Sequence, residues 1–254
     1  MSYVKETGRL CNQIIKNLAM SFIAKKHDLN IKYHGQDRMD ALGIPLFSGK
    51  KSYGDTLSVN DQNYEHIYTL DTIHANISSD AYLQTHAIAT RMYSYFRTPD
   101  IQTSILEKNP FNERFNNNND VYIHIRLTDA EKHNPGIEYY LKALSTIEFD
   151  NIHISSDNLN HDIIYEILTK YPDCTYIEEY GPEETLQFAS TCKYVILSHG
   201  SFSAMIGHLA FYSKVIFPTY GRNRPNWFGD IFYMDDWTDI ETREGKPYIY
   251  FTPP

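Results

Sequence analysis

Val121-Tyr122-Ile123-His124-Ile125-Arg126-Leu127-Thr128-Asp129 decides how the chain is read. Its first five residues are mostly β-branched and apolar, which predicts a buried strand. Where that strand ends, the sequence delivers a His, an Arg and an Asp within six residues. Ligands of open α/β sheets sit beyond the carboxyl ends of the strands. A planar guanidinium placed there grips a phosphate through two parallel hydrogen bonds, a geometry lysine does not offer. A salt bridge between Arg126 and Asp129 that closes off the strand end uses the same residues, so this stretch alone leaves both readings open.

Outward from it, an α/β rhythm runs to the carboxyl terminus. Strands are expected at Asn151–Ser155, Thr175–Glu178, Tyr194–Leu197 and Val215–Phe217. Helices are expected at Glu138–Ser145, Asp162–Tyr171, Glu183–Ser190 and Ser203–Phe211. Strands alternating with short helices imply a parallel sheet with crossovers on both faces. Upstream, a strand at Tyr3–Lys5, a helix carrying Ile14, Ile15, Leu18, Ala19, Phe22 and Ile23 on one face, and a strand at Leu29–Tyr33 make a βαβ unit. Residues 35–65 are turn-rich and give no clear period, and a helix follows over roughly Ala81 to Phe96. The polar, Asn-rich stretch Asn109–Asp120 reads as an interdomain linker. The expected organisation is an amino-terminal α/β domain over 1–115 and a Rossmann-like domain over 120–254 with a carboxyl-terminal extension.

Composition narrows the function. The chain has 254 residues, 42% hydrophobic and 22% charged, with 21 Tyr and 13 Phe, as expected of a globular protein with one large or two small cores. A formal charge of −9 leaves no basic excess to displace counterions from nucleic acid. Three cysteines, Cys11, Cys174 and Cys192, show no metal-type spacing and suggest thiols in a reducing compartment. Neither a membrane-length apolar span nor a signal pattern is present, so a soluble, cytoplasmic protein is expected.

Three further places put polar groups at the end of a strand. In Gly8-Arg9-Leu10-Cys11-Asn12-Gln13, Gly8 permits a tight turn, and the helix that follows points its unpaired N–H groups at a ligand. A capped turn with a surface arginine uses the same residues. In Ser155-Ser156-Asp157-Asn158, the carboxylate suits a ribose hydroxyl, a base N–H edge or a helix cap. In Leu197-Ser198-His199-Gly200-Ser201-Phe202-Ser203, small and hydroxyl residues open a helix and form an anion cradle with its dipole. N-capping by Ser201 or Ser203 is compatible with that role. Asp235, Asp236 and Asp239 read as a solvated acidic turn. The strand-end loops hold no Asp-x-Asp pair, so the site is expected to work without metal.

Together these pieces resemble the fucosyltransferases, above all the α-1,2-fucosyltransferase family. Gly8-Arg9-Leu10-Cys11-Asn12-Gln13 is similar to its amino-terminal G-x-L-G-N-Q. His124-Ile125-Arg126-Leu127-Thr128-Asp129 is similar to H-x-R-R-x-D, in the R-x-T-D form of α-1,6-fucosyltransferases. Ser198–Gly207 and Lys214–Pro218 resemble its N-S-S/T-F-S-W-W-G and K-x-V-I-x-P, in the same order across roughly residues 3 to 240. The chain departs from the pattern at Cys11, Leu127 and Ala204-Met205, which replace a Gly, a second Arg and a Trp pair of the donor pocket.

The resemblance implies a GT-B fold, two Rossmann-type domains facing a central cleft, and inverting, metal-independent transfer of fucose from GDP-fucose to a glycan hydroxyl. On that pattern Arg126 holds the β-phosphate and His124 lines the nucleotide pocket. Ser201, Phe202 and Ser203 bind the diphosphate end of the donor, and Asp157 the nucleoside. Gly8, Arg9, Asn12 and Gln13 complete the nucleotide-sugar site. Glu131 is the candidate base, by similarity to a glutamate following the α-1,6 motif, with Asp129 second. No cofactor is implied, no nucleic-acid partner and no membrane insertion, and the absence of an amino-terminal anchor resembles soluble microbial or viral members. The rivals are the same chemistry with another donor such as a UDP-pentose, an inactive sugar- or nucleotide-binding module, and a Rossmann epimerase or reductase. The last is disfavoured because no G-x-G-x-x-G joins an early strand to a helix.

Overall fold

The computed structural model describes residues 1–220 and 231–242, and the carboxyl-terminal extension over 243–254 lies outside the described residues. The chain divides into two compact units, Met1–Lys108 and Asn109–Pro254.

In the first unit, β1 (Ser2–Val4), β2 (Ile31–Lys32), β3 (Thr56–Ser58) and β4 (Asn76–Ser79) form a parallel sheet in the order β2-β1-β4-β3. The helices are α1 (Leu10–His27), α2 (Gln36–Ala41), α3 (Tyr64–Thr69), α4 (His86–Phe96) and α5 (Pro99–Lys108). α1 packs on β1, β4, α3 and α4 and is buried on most of its circumference, including Gln13, Lys16 and Asn17, not on one face only. It stops at Asp28, whose left-handed φ of 56° lets its N–H return to the Ala24 carbonyl, and Lys25, Lys26 and His27 complement the helix dipole there. The turn-rich region 35–65 contains α2, β3 and the first two residues of α3. All three β3 residues are exposed, so no buried alternation marks that strand. The helix expected from Ala81 begins at His86, where the Thr85 hydroxyl accepts the Ile88 N–H.

The second unit is a six-stranded sheet of β5 (Val121–Ile125), β6 (Ile152–Ser156), β7 (Thr175–Tyr176), β8 (Tyr194–Ile196), β9 (Lys214–Thr219) and β10 (Thr238–Glu241), all parallel, in the order β10-β9-β8-β5-β6-β7. This is the doubly wound order of a dinucleotide-binding sheet, with its switch point between β5 and β8. The connecting helices are α6 (Ile137–Ser145), α7 (Asp162–Lys170), α8 (Pro182–Ala189) and α9 (Gly200–Leu209). α6 packs with α7 and α8 with α9, the pairing that right-handed crossovers running in opposite directions from β5 and β8 require. All five residues of β5 are buried. Val121, Ile123 and Ile125 join Ile152, Ile154 and Ile196 in the core, each contributing roughly 2 kcal/mol by burial.

Asn109–Asp120 is not the solvated linker its composition suggested. Asn109 Nδ2 donates to the Gln187 carbonyl at 2.9 Å, and Asn118 Nδ2 to the Thr191 carbonyl at 2.9 Å. Arg114 pairs with Asp120 at 2.7 Å while its guanidinium lies 4.6 Å from the Phe188 ring centre. The asparagine amides stand in for ladder hydrogen bonds that irregular backbone cannot make. The acidic turn is also revised in part: Asp239 lies in β10, paired in register with Phe217.

Candidate functional site

At the switch point of the second sheet, Arg126 is the first residue after β5 and its backbone is held at both ends. Its N–H donates to Ser198 Oγ at 3.3 Å, and its carbonyl accepts from Asn134 Nδ2 at 2.9 Å. Ser198 Oγ also accepts from the buried Tyr140 hydroxyl at 3.0 Å. The guanidinium Nη2 lies 2.8 Å from Asp129 Oδ1 and Nε 3.3 Å from the same oxygen. The salt bridge is therefore made. It engages one oxygen of a half-exposed carboxylate rather than both, and such a pair is worth little in water. An anion competes readily for that arginine.

Asp157, after β6, turns toward this loop. Its Oδ1 accepts the Leu127 N–H at 2.7 Å, and its Oδ2 accepts the Thr128 hydroxyl at 2.6 Å and the Thr128 N–H at 3.2 Å. The carboxylate expected to meet a nucleoside thus has its oxygens occupied in shaping the Arg126–Asp129 turn.

α9 supplies the other wall. His199 occupies its N-cap position without a side-chain cap bond, so the first-turn N–H groups and the positive end of the dipole remain available to an anion. Ser201 and Phe202 lie in that first turn, and the Phe202 ring centre is 5.1 Å from that of His124. Ser203 is fully buried. Its Oγ lies 2.5 Å from His124 Nδ1 and accepts the Ser198 N–H at 2.9 Å. Burial holds the His124 ring down to a pKa of about 4, with Asp157 opposing the shift and Arg126 adding to it. His199, stacked edge-on to His133 with centroids 6.0 Å apart, is pushed well below the ordinary histidine value by burial and then by Arg126, His133 and His124.

Glu131 stands apart from this group, in a short 3₁₀ turn, with Oε1 3.2 Å from His161 Nε2 and its side chain 62% exposed. That exposure leaves its carboxylate accessible to solvent.

The remaining candidates belong to the first unit, at the switch point between β1 and β4. Gly8 has φ +71°, and a Cβ there would lie 2.2 Å from Asn12 Nδ2, so the turn requires glycine. Arg9 is the exposed N-cap residue of α1. Asn12 Oδ1 accepts from Gln84 Nε2 at 2.8 Å, and Gln13 Nε2 donates to the Thr7 carbonyl at 2.5 Å. Lys16, fully buried, donates to Thr7 Oγ1 at 2.5 Å. Burial pushes its amine down to about 8, against the attraction of Asp80 and Glu6.

Sequence reasoning missed Lys16, Asn134 and Tyr140. Each acts through hydrogen bonds to backbone or neutral side-chain partners, which leave no spacing signature. Among the described residues no cluster of three or more His, Cys, Asp or Glu side chains is placed to hold a metal. No described helix is long and apolar enough to cross a membrane.

No protein-family model matches the chain, and no curated protein does. Among solved structures, E. coli heptosyltransferase WaaC with ADP-2-deoxy-2-fluoro heptose is similar over 94% of this chain and 91% of its own, with a TM-score of 0.50 and 13% identity. The fold is of the GT-B type. E. coli heptosyltransferase WaaC with ADP aligns with a TM-score of 0.47 at 12% identity, over 94% of this chain and 92% of its own. In the second unit the strand order reverses between β5 and β8, beside Arg126.

Proposed function

We propose that the chain is an inverting, metal-independent glycosyltransferase that moves fucose from GDP-fucose to a hydroxyl of a glycan acceptor. The observation that carries the reading is the convergence at one switch point of a backbone-clamped Arg126 and the uncapped first turn of α9. Both are sources of positive potential that suit a diphosphate. The motif resemblance supports guanine and fucose, and the WaaC likeness supports a nucleotide-sugar donor in general terms. That WaaC structure holds ADP-2-deoxy-2-fluoro heptose, which favours a second reading with another nucleotide and sugar on the same chemistry.

In the reaction the acceptor oxygen attacks the anomeric carbon from the face opposite the diphosphate. The bond from that carbon to the phosphate oxygen breaks, and its electron pair leaves with the nucleoside diphosphate. Arg126 and the α9 N–H groups stabilise the charge that builds there. The acceptor proton passes to a carboxylate, for which exposed Glu131 is the first candidate and Asp129, already engaged by Arg126, the second.

A thermal-shift panel of GDP, UDP, ADP and CDP with EDTA present tests the reading. A ligand at a hundredfold its Kd adds about 2.7 kcal/mol of stability. A GDP-selective shift that Arg126→Ala abolishes, followed by transfer from GDP-fucose, is expected. A shift selective for UDP or ADP replaces the donor, and silence across the panel overturns the proposal in favour of a module that binds no nucleotide diphosphate.

A further inference from the structure

We infer that Ser203 is a positioning residue, not a donor ligand, and that it fixes His124 as a neutral ring whose Nε2–H is offered to the diphosphate. The part concerning the diphosphate rests on the nucleotide-sugar reading above. The part concerning the ring rests on hydrogen-bond accounting alone.

A backbone amide only donates, so the Ser198 N–H takes up one lone pair of Ser203 Oγ. The hydroxyl owns a single proton, and among the described residues the other polar atom within its reach is His124 Nδ1, at 2.5 Å. Ser203 is fully buried, so bulk solvent does not receive that proton. The proton therefore goes to Nδ1, which acts as acceptor, and the neutral ring carries its own proton on Nε2. Ser203 has no capacity left for a phosphate.

Nε2, the other ring nitrogen, has no hydrogen-bond partner among the described residues, and His124 keeps 8% of its surface exposed. The ring lies beside Arg126 and next to the first turn of α9. A second ring proton would add charge in a place already positive, and burial opposes it further. A neutral N–H donor avoids that repulsion and still points a hydrogen bond at an anion, as a helix amide does. The relay Ser198 N–H to Ser203 Oγ to His124 Nδ1 thus ties the loop after β8 to the end of β5 and sets which nitrogen faces the ligand.

The test is ¹⁵N-edited NMR of histidine-labelled protein, with the His124 signals assigned by their loss in His124→Gln. In the wild type the expected spectrum has the proton on Nε2 and an unprotonated Nδ1, and saturating GDP moves the Nε2 signal. Ser203→Ala is expected to populate the Nδ1–H tautomer and to weaken GDP about tenfold, the worth of one hydrogen bond, and Ser203→Thr to restore both. If neither variant folds, the wild-type spectra with and without GDP carry the test. A proton on Nδ1 in the wild type overturns the proposal, and so does bound GDP with an unmoved Nε2. Failure of the nucleotide-sugar reading looks different: no nucleoside diphosphate in the panel binds, and the ligand role falls with it.

Discussion

The carboxylate of Asp157 accepts the backbone N–H of Leu127 at 2.7 Å. With the two bonds from Thr128, it shapes the turn that carries Arg126 and Asp129. Asp157→Ala leaves two backbone N–H groups and a hydroxyl without their charged acceptor. The expected result is a loss of roughly 1–3 kcal/mol of stability together with weaker binding of every nucleotide tested. Denaturant melts and calorimetric titration check it. Altered nucleotide preference at unchanged stability would assign Asp157 to the nucleoside instead.

Acid is expected to destabilise the protein well before its carboxylates titrate. His124 is held at about 4, and His199, His153 and His27 are also lowered, in each case chiefly by burial. In the unfolded chain these rings titrate near 6.5, so between that value and about 4 the unfolded state binds more protons. Stability is fully present above pH 6.5 and declines as the pH falls toward 4. Urea midpoints at pH 7.5 and 5.0 read this directly. Equal midpoints would mean that the rings are solvated in the native state.

Lys16 carries the same sign into alkaline solution. Its amine is lowered to about 8 from 10.5, so between those values the unfolded chain again holds the extra proton and stability rises with pH. The buried tyrosines and cysteines are raised and act in the opposite direction. The wild type is therefore best compared with Lys16→Met, in which only this contribution is gone. The stability gap between the two should shift in favour of wild type from pH 7.5 to 10, and a constant gap refutes a perturbed amine.

Gly207 lies inside α9, where alanine ordinarily adds about 1 kcal/mol. A Cβ at this position would sit 2.5 Å from Trp237 Cη2 and 3.0 Å from Leu197 Cδ1. Gly207→Ala is therefore expected to reverse the usual sign and destabilise by roughly 1–3 kcal/mol, seen as a lower Tm. A raised Tm would show that the indole moves aside.

The second sheet was legible, apart from the polar β10, because its other strands are short apolar runs separated by helices of clear period. In the first sheet β1 and β2 were legible and β3 and β4 were not: β3 is three exposed residues and β4 only four. Neither is long enough for alternation to rise above chance. At the site, the positions of His124, Arg126 and Ser203 follow from sequence, but the division of labour among them does not. Ser203 and Asp157 have the residue types of ligands, and only their distances to Ser198, His124, Leu127 and Thr128 show the hydrogen bonds they make within the loops around Arg126. Composition misled once, at the Asn-rich stretch, since polarity records solubility and not whether each amide has found a partner.

Asn116-Asn117-Asn118-Asn119 is the kind of homopolymeric tract in which copying errors add or remove a codon. In an unstructured tether such a change goes unnoticed. Here Asn118 and Asn119 are bonded to Thr191, Lys193 and Asp150, and the next residue but one opens β5. One asparagine more or fewer either breaks those bonds or slides the strand by a residue, and a slide exchanges the two faces of the sheet. His124 would then point where Ile125 belongs. Natural length variants of this tract should be rare among active copies of the protein, because the count of asparagines sets the register of β5.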